Sequence, residues 1–151
     1  MIKANKQING SKVVIMGVTF KENTPDVRNT KVIDVVRELE EYGVKVSVVD
    51  PVADGENLKK EYGIELKNLE DIYNFDAVVL AVPHDEFKDI TLDDLKKLYR
   101  VKISNEDSVD EVAATMEEND NLNNERYVLI DVKGMFNRKE AESTGFDYWR
   151  L

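Results

Sequence analysis

Three basic residues stand where this chain would pass from strand to loop: Lys21, Arg28 and Lys133. Lys21 and Arg28 share one stretch, Gly17 to Thr30, between the apolar run Val13–Met16 and the periodic segment Lys31–Gly43. A strand, a polar loop and a helix start in that order offer unpaired N–H groups and a partial positive charge to an anion. Lysine brings a point charge and arginine a bidentate fork, and both suit phosphate. The competing reading pairs them with local acids such as Glu22 and Asp26; residue types alone leave the two readings about even. Lys133, just before Gly134, could reach the same mouth, although a lone lysine there reads as a solvated loop residue. His84, in Pro83-His84-Asp85, could act as an acid or base. A lone histidine beside Asp85 and Glu86 is more often a helix-start residue in a polar network. Asp50 ends the second apolar run, where an acid would hold a ribose, but Asp50-Pro51 reads more naturally as a turn.

The sequence argues against several chemistries. A dinucleotide fingerprint needs small residues where Thr19 and Glu22 stand, and no Gly-Lys-Ser/Thr marks a P-loop. The chain has no cysteine, hence no disulfide, thiolate metal site or cysteine nucleophile, and its single histidine rules out a His-rich metal cluster. A phosphoryl receiver needs acids after the first strand and an acceptor aspartate ending the third. Met16-Gly17-Val18 and Val82-Pro83 stand there instead. The net charge of −10 argues against nucleic acid as a partner. No apolar run approaches the roughly 20 residues of a membrane span. The start of the chain lacks a signal-peptide pattern, so the cytoplasm is the expected compartment.

The elements that must position these residues follow from periodicity. At 151 residues one domain with one sizeable core is expected. Lys12–Val18, Val44–Val49, Asp76–Val82 and Tyr127–Asp131 read as buried parallel strands. Val32, Val35, Val36 and Leu39 predict the buried stripe of a helix over 31–43, capped by Asp26 or Asn29 and ended by Gly43. Short helices are expected over 54–62 and 91–99, the latter opened by a Thr91/Asp94 capping box, and 68–73 gives another helical turn. A last helical turn at 138–143 and a short edge strand at 145–151 complete an α/β domain with a mostly parallel sheet. Residues 104–125 are strongly acidic with no Lys or Arg, and read as a surface excursion with a solvated acidic face. In such sheets ligands bind beyond the carboxyl ends of the strands. That rule collects the 17–30 loop, Asp50-Pro51, Pro83-His84-Asp85 and Asp131-Val-Lys-Gly134.

The long run Gly-Val-Thr-Phe-Lys-Glu-Asn-Thr-Pro-Asp-Val-Arg-Asn-Thr-Lys, with Tyr-Gly-Val-x-Val, Asp-Pro and Ile-Asp-Val-Lys-Gly, resembles the C-terminal UDP-binding domain of the UDP-glucose/GDP-mannose dehydrogenase family. Lys-Glu-Asn-x-Pro-Asp-x-Arg-Asn and the closing Tyr-Trp-Arg-Leu are most similar to its bacterial UDP-N-acetylhexosamine dehydrogenases. The resemblance covers nearly the whole chain and thins at 104–125, which it marks as an insertion. It implies a Rossmann-like three-layer α/β sandwich with a mostly parallel sheet. It also implies that residues 1–9 end a connecting helix from an N-terminal NAD-binding domain, and that 10–151 form the UDP-sugar-binding domain. The whole enzyme would be a homodimer that oxidises the C6 hydroxyl of a UDP-sugar to a carboxylate with NAD, for surface polysaccharide synthesis. By position, Phe20 and Lys21 would contact UDP, with Glu22, Asn23, Thr24, Pro25, Asp26 and Val27 shaping the site. Lys133 would contact the UDP-sugar, and Arg28 would approach NAD held by the other domain. The catalytic cysteine lies elsewhere in such enzymes, so this domain alone would not catalyse.

Overall fold

The structure is a computed structural model in which residues 7–99 and 127–151 are described. Residues 1–6 of the expected tail at 1–9 and the whole acidic segment 104–125 lie outside the described residues. The strands are β1 (Lys12–Met16), β2 (Lys45–Val49), β3 (Ala77–Leu80), β4 (Tyr127–Asp131) and β5 (Phe146–Arg150). The helices are α1 (Val32–Glu41), α2 (Gly55–Tyr62), α3 (Leu92–Lys97) and α4 (Arg138–Ser143). The strands form one sheet in the order β2-β1-β3-β4-β5. Every neighbouring pair is parallel, with Lys12 opposite Lys45, Val13 opposite Ala77, Ala77 opposite Val128 and Tyr127 opposite Phe146. The expected edge strand at the C-terminus therefore joins the sheet in the same sense as the others.

Strand side chains alternate between two covered faces. Val13, Ile15, Ala77, Val79 and Val128 point to one face, under Ile33 and Val36 of α1 and Leu58 of α2. Val14, Met16, Val78, Leu80 and Leu129 point to the other, against Leu92 and Leu95 of α3 and Ala141 of α4. Burial on both sides is why the strands read as unbroken apolar runs. The result is a three-layer α/β sandwich of Rossmann-like type, and no helix among the described residues is long and apolar enough to cross a membrane.

Two details of α1 differ from expectation. Ile33 is buried and Val35 is 46% exposed, so the stripe runs through Val32, Ile33, Val36 and Leu39. Spacing allowed either flank, and the helix turned toward Ile33. Neither Asp26 nor Asn29 caps it: the N-cap is Lys31, with no side-chain bond. The Thr30 hydroxyl accepts from the Val32 amide instead, while Asp26 accepts from the Arg28 amide. Elsewhere the local signals hold. Asp54 caps α2, the Thr91/Asp94 capping box opens α3, and Gly43 and Gly63 lie in left-handed conformations after their helices.

Candidate functional site

With the order β2-β1-β3, the chain leaves β1 in one direction for β2 and returns on the other side to β3. The carboxyl ends of β1 and β3 therefore flank the crevice where α/β sheets bind ligands. The two loops meet closely there. Gly17 has φ +86°, and a Cβ on it would sit 2.6 Å from Val82 Cβ. Only glycine satisfies both the left-handed backbone and the contact.

From Gly17 the first loop is folded back on itself and tied down on several sides. The Phe20 amide donates to the Asp26 carbonyl at 2.8 Å and closes the segment 20–26. The Thr19 hydroxyl donates to the Lys21 carbonyl, and the Thr30 hydroxyl to the Thr19 carbonyl. The Asp54 amide donates to the Pro25 carbonyl and the Tyr62 phenol to the Val27 carbonyl. Asn23, at φ +56°, is one of the few residue types that accept such a conformation.

Beneath this loop lies a buried polar node. His84 is fully buried at the end of the β3 loop. Its Nδ1 accepts from the Asn23 amide at 2.9 Å, which puts the proton of the neutral ring on Nε2. Nε2 faces Asp50 Oδ2 at 3.0 Å and Thr19 Oγ1 at 3.2 Å. Asp50 Oδ2 also accepts from the Val18 amide, and Oδ1 from the amides of Val52 and Ala53. Asp50 thus makes the expected turn and joins the ends of β1, β2 and β3. His84 does open a short 3-10 turn, Asp85–Phe87, within a polar network, and that network reaches much further than its neighbours in sequence. The Asn23 side chain adds a bond from the Asp85 amide. Asp85 pairs with Lys88; first Lys88 and then Asn23 hold its carboxyl below the usual range.

The second loop of the mouth, 131–136, has its own anchor. Asp131 is fully buried. It accepts from the amides of Gly134 and Phe136 at 2.7 and 2.9 Å and from the Tyr148 phenol at 2.8 Å. Burial first, and then the bond to Asp131, push the Tyr148 phenol up to about 12.

Two clefts flank the first loop. One, of about 270 Å³, opens between the loops after β1, β3 and β4, lined by Glu22, Pro83, Asp85, Lys88, Met135 and Phe136 among others. The other, of about 390 Å³, lies on the α2 side, where Pro25, Asp26, Val27 and Arg28 face Asp54, Asn57 and Glu61. The expected site residues are therefore divided. Phe20 stands out at 60% exposure, Lys21, Glu22 and Asn23 are exposed, and Thr24 is partly covered. Val27 is 2% exposed and its side chain belongs to the core. Arg28 forms a bidentate pair with Asp26 (3.0 and 3.1 Å), as the local-pairing reading held; the pair raises the guanidinium and lowers the carboxyl. Among the described residues, no ion pair involves Lys21 or Lys133. Lys88, Met135 and Phe136 were not legible as lining residues, because they reach the cleft only through the packing of their loops. No group of acids and histidine that could hold a metal ion occurs among the described residues.

Residues 14–110 match the UDP-glucose/GDP-mannose dehydrogenase family, UDP binding domain. The chain belongs to that family. Among relatives, it is 45% identical over 98 residues to a UDP-N-acetyl-D-glucosamine 6-dehydrogenase of Pseudomonas aeruginosa, covering 65% of this chain and 23% of that protein. It is 32% identical to Protein CapL of Staphylococcus aureus over 151 residues, which is 100% of this chain and 30% of the relative. The chain thus spans less than a third of the length of these family members. Its fold is also that of an NDP-N-acetyl-D-galactosaminuronic acid dehydrogenase structure from Methanosarcina mazei, with a TM-score of 0.73 at 23% identity over 99% of this chain and 26% of that one.

Proposed function

We propose that this chain binds the UDP portion of a UDP-sugar at the carboxyl edge of its sheet, as the C-terminal domain of an NAD-dependent UDP-sugar 6-dehydrogenase. The observation that carries the reading is Lys21. It is an exposed ammonium with no carboxylate partner among the described residues, on a loop pinned by hydrogen bonds to Asp50, Asp54, Tyr62, His84 and Asp85 at the switch point of the sheet. In a chain of net charge −10, an unneutralised cation there is placed for an anion. Phe20 beside it offers an exposed ring for a base. Lys133, on the anchored loop after β4, supplies a second cation. The carboxylates of Glu22 and Asp85 suit hydroxyl donors of a ribose or hexose. Asn23, Thr24, Pro25, Asp26 and Val27 act by shaping the loop.

Arg28 faces the opposite cleft, and we assign it to the approach of NAD held by the N-terminal domain. Its pair with Asp26 is solvent-exposed, so leaving it costs little. NAD would accept the hydride; this chain lacks the glycine fingerprint to hold the dinucleotide itself. Residues 1–9 would end the connecting helix, and 10–151 would form the domain. The whole enzyme is a cytoplasmic homodimer in this reading, acting in surface polysaccharide synthesis, and the domain alone is inactive.

Calorimetric titration with UDP and with NAD tests the proposal. UDP is expected to bind more tightly, and Lys21→Ala to weaken it by roughly 1.5–3 kcal/mol while thermal unfolding is unchanged. Tighter binding of NAD, or UDP affinity indifferent to Lys21→Ala, overturns it.

A further inference from the structure

We infer that His84 is a positioning residue for the nucleotide-binding loop: its ring sets the backbone of Lys21–Asn23 and thereby the place of the Lys21 ammonium. The inference deepens the UDP reading and rests on it for its ligand. The geometry that supports it is independent of any ligand. Nδ1 of the buried ring holds the Asn23 amide at 2.9 Å, across 61 residues of sequence. Nε2 faces Thr19 Oγ1 at 3.2 Å, and that hydroxyl in turn holds the Lys21 carbonyl at 2.9 Å. The two backbone groups that flank Glu22, the Lys21 carbonyl and the Asn23 amide, therefore both refer back to one imidazole. That imidazole is itself oriented by Asp50 Oδ2 at 3.0 Å. Asn23 itself is in the left-handed region, and its side chain is locked again by the Asp85 amide. A group that only filled space would need none of these polar contacts. A ring whose two nitrogens are both used fixes the loop in orientation as well as in distance.

The two nitrogens can be separated. In His84→Asn the amide oxygen stands near the position of Nδ1 and keeps an acceptor for the Asn23 amide. In His84→Gln the amide reaches the position of Nε2 and keeps a donor for Asp50, but Asn23 loses its acceptor. Both variants shrink the buried ring and lower the thermal midpoint, so stability alone does not distinguish them. UDP affinity does: His84→Gln is expected to bind UDP about tenfold more weakly, and His84→Asn within about threefold of the parent. A second readout needs no ligand. In the parent, nuclear magnetic resonance should show a nitrogen–nitrogen coupling between the Asn23 amide and His84 Nδ1. In His84→Gln the Lys21–Asn23 amides should shift or broaden while those of β1 and β3 stay in place. Equal affinity losses in the two variants, in step with their stability, overturn the inference, as does the absence of the coupling. If the parent fails to bind UDP, the functional reading falls, and the amide spectra alone decide the role of His84.

Discussion

Two buried carboxylates end two strands of the same sheet, and they are used differently. Asp50, at the end of β2, accepts from Val18, from Val52 and Ala53, and from His84, so its donors come from the ends of three strands. Asp131, in β4, accepts from Gly134 and Phe136 of its own loop and from Tyr148 of the neighbouring strand. Among the described residues neither pairs with a lysine or arginine. A carboxylate in such a place is held by amide and hydroxyl donors rather than by a counter-charge. The first builds a crevice by binding three loops together; the second stiffens one loop against the sheet edge. A mouth formed by several strand ends needs the first kind. A single basic side chain on one loop needs only the second.

That contrast can be broken by experiment. Asp50→Ala should be the costliest change, on the order of 4 kcal/mol, since it strands buried donors in three segments. The urea midpoint measures it, and UDP affinity should fall as well. Asp131→Ala should cost about 3 kcal/mol, with disturbance confined to 131–136 and β5. If Asp131→Ala proved the more damaging, or displaced the amides of 19–23, the two anchors would be equivalent. Tyr148→Phe should cost about 1 kcal/mol near neutral pH. It also removes an alkaline transition. The phenol is raised from an ordinary value of about 10 to about 12 in the folded chain. The folded state therefore keeps the proton longer. Its contribution is complete below pH of about 10 and is lost as pH rises through about 12. Stability measured across that window should decline in the parent more than in Tyr148→Phe.

Much of the frame was legible because its signals are local. The capping box at Thr91 and the turn at 138–143 involve residues three to five apart, and the buried strands announce themselves by β-branched runs. The flank of α1 that faces the sheet was not, since Ile33 and Val35 differ only in what packs against them. Lys21 was legible as a cation on a strand-to-helix loop. Its support was not, because the bonds of His84 to Asn23 and Asp50 join residues 61 and 34 positions apart. The split of the first loop between two clefts likewise depends on where α2 and the loop after β4 come to rest.

The all-parallel sheet has a kinetic consequence. No pair of neighbouring strands can be zipped up from a tight turn, because parallel partners need a crossover between them. β1 must wait for β2 on one side and for the much later β3 on the other. The crevice is thus assembled late, from segments that meet only when long loops have closed, and such topologies fold slowly. On a ribosome the Lys21 loop would emerge before β3 and stay unsupported until His84 had been synthesised. A chain interrupted before β3 would carry the whole loop sequence and none of its shape.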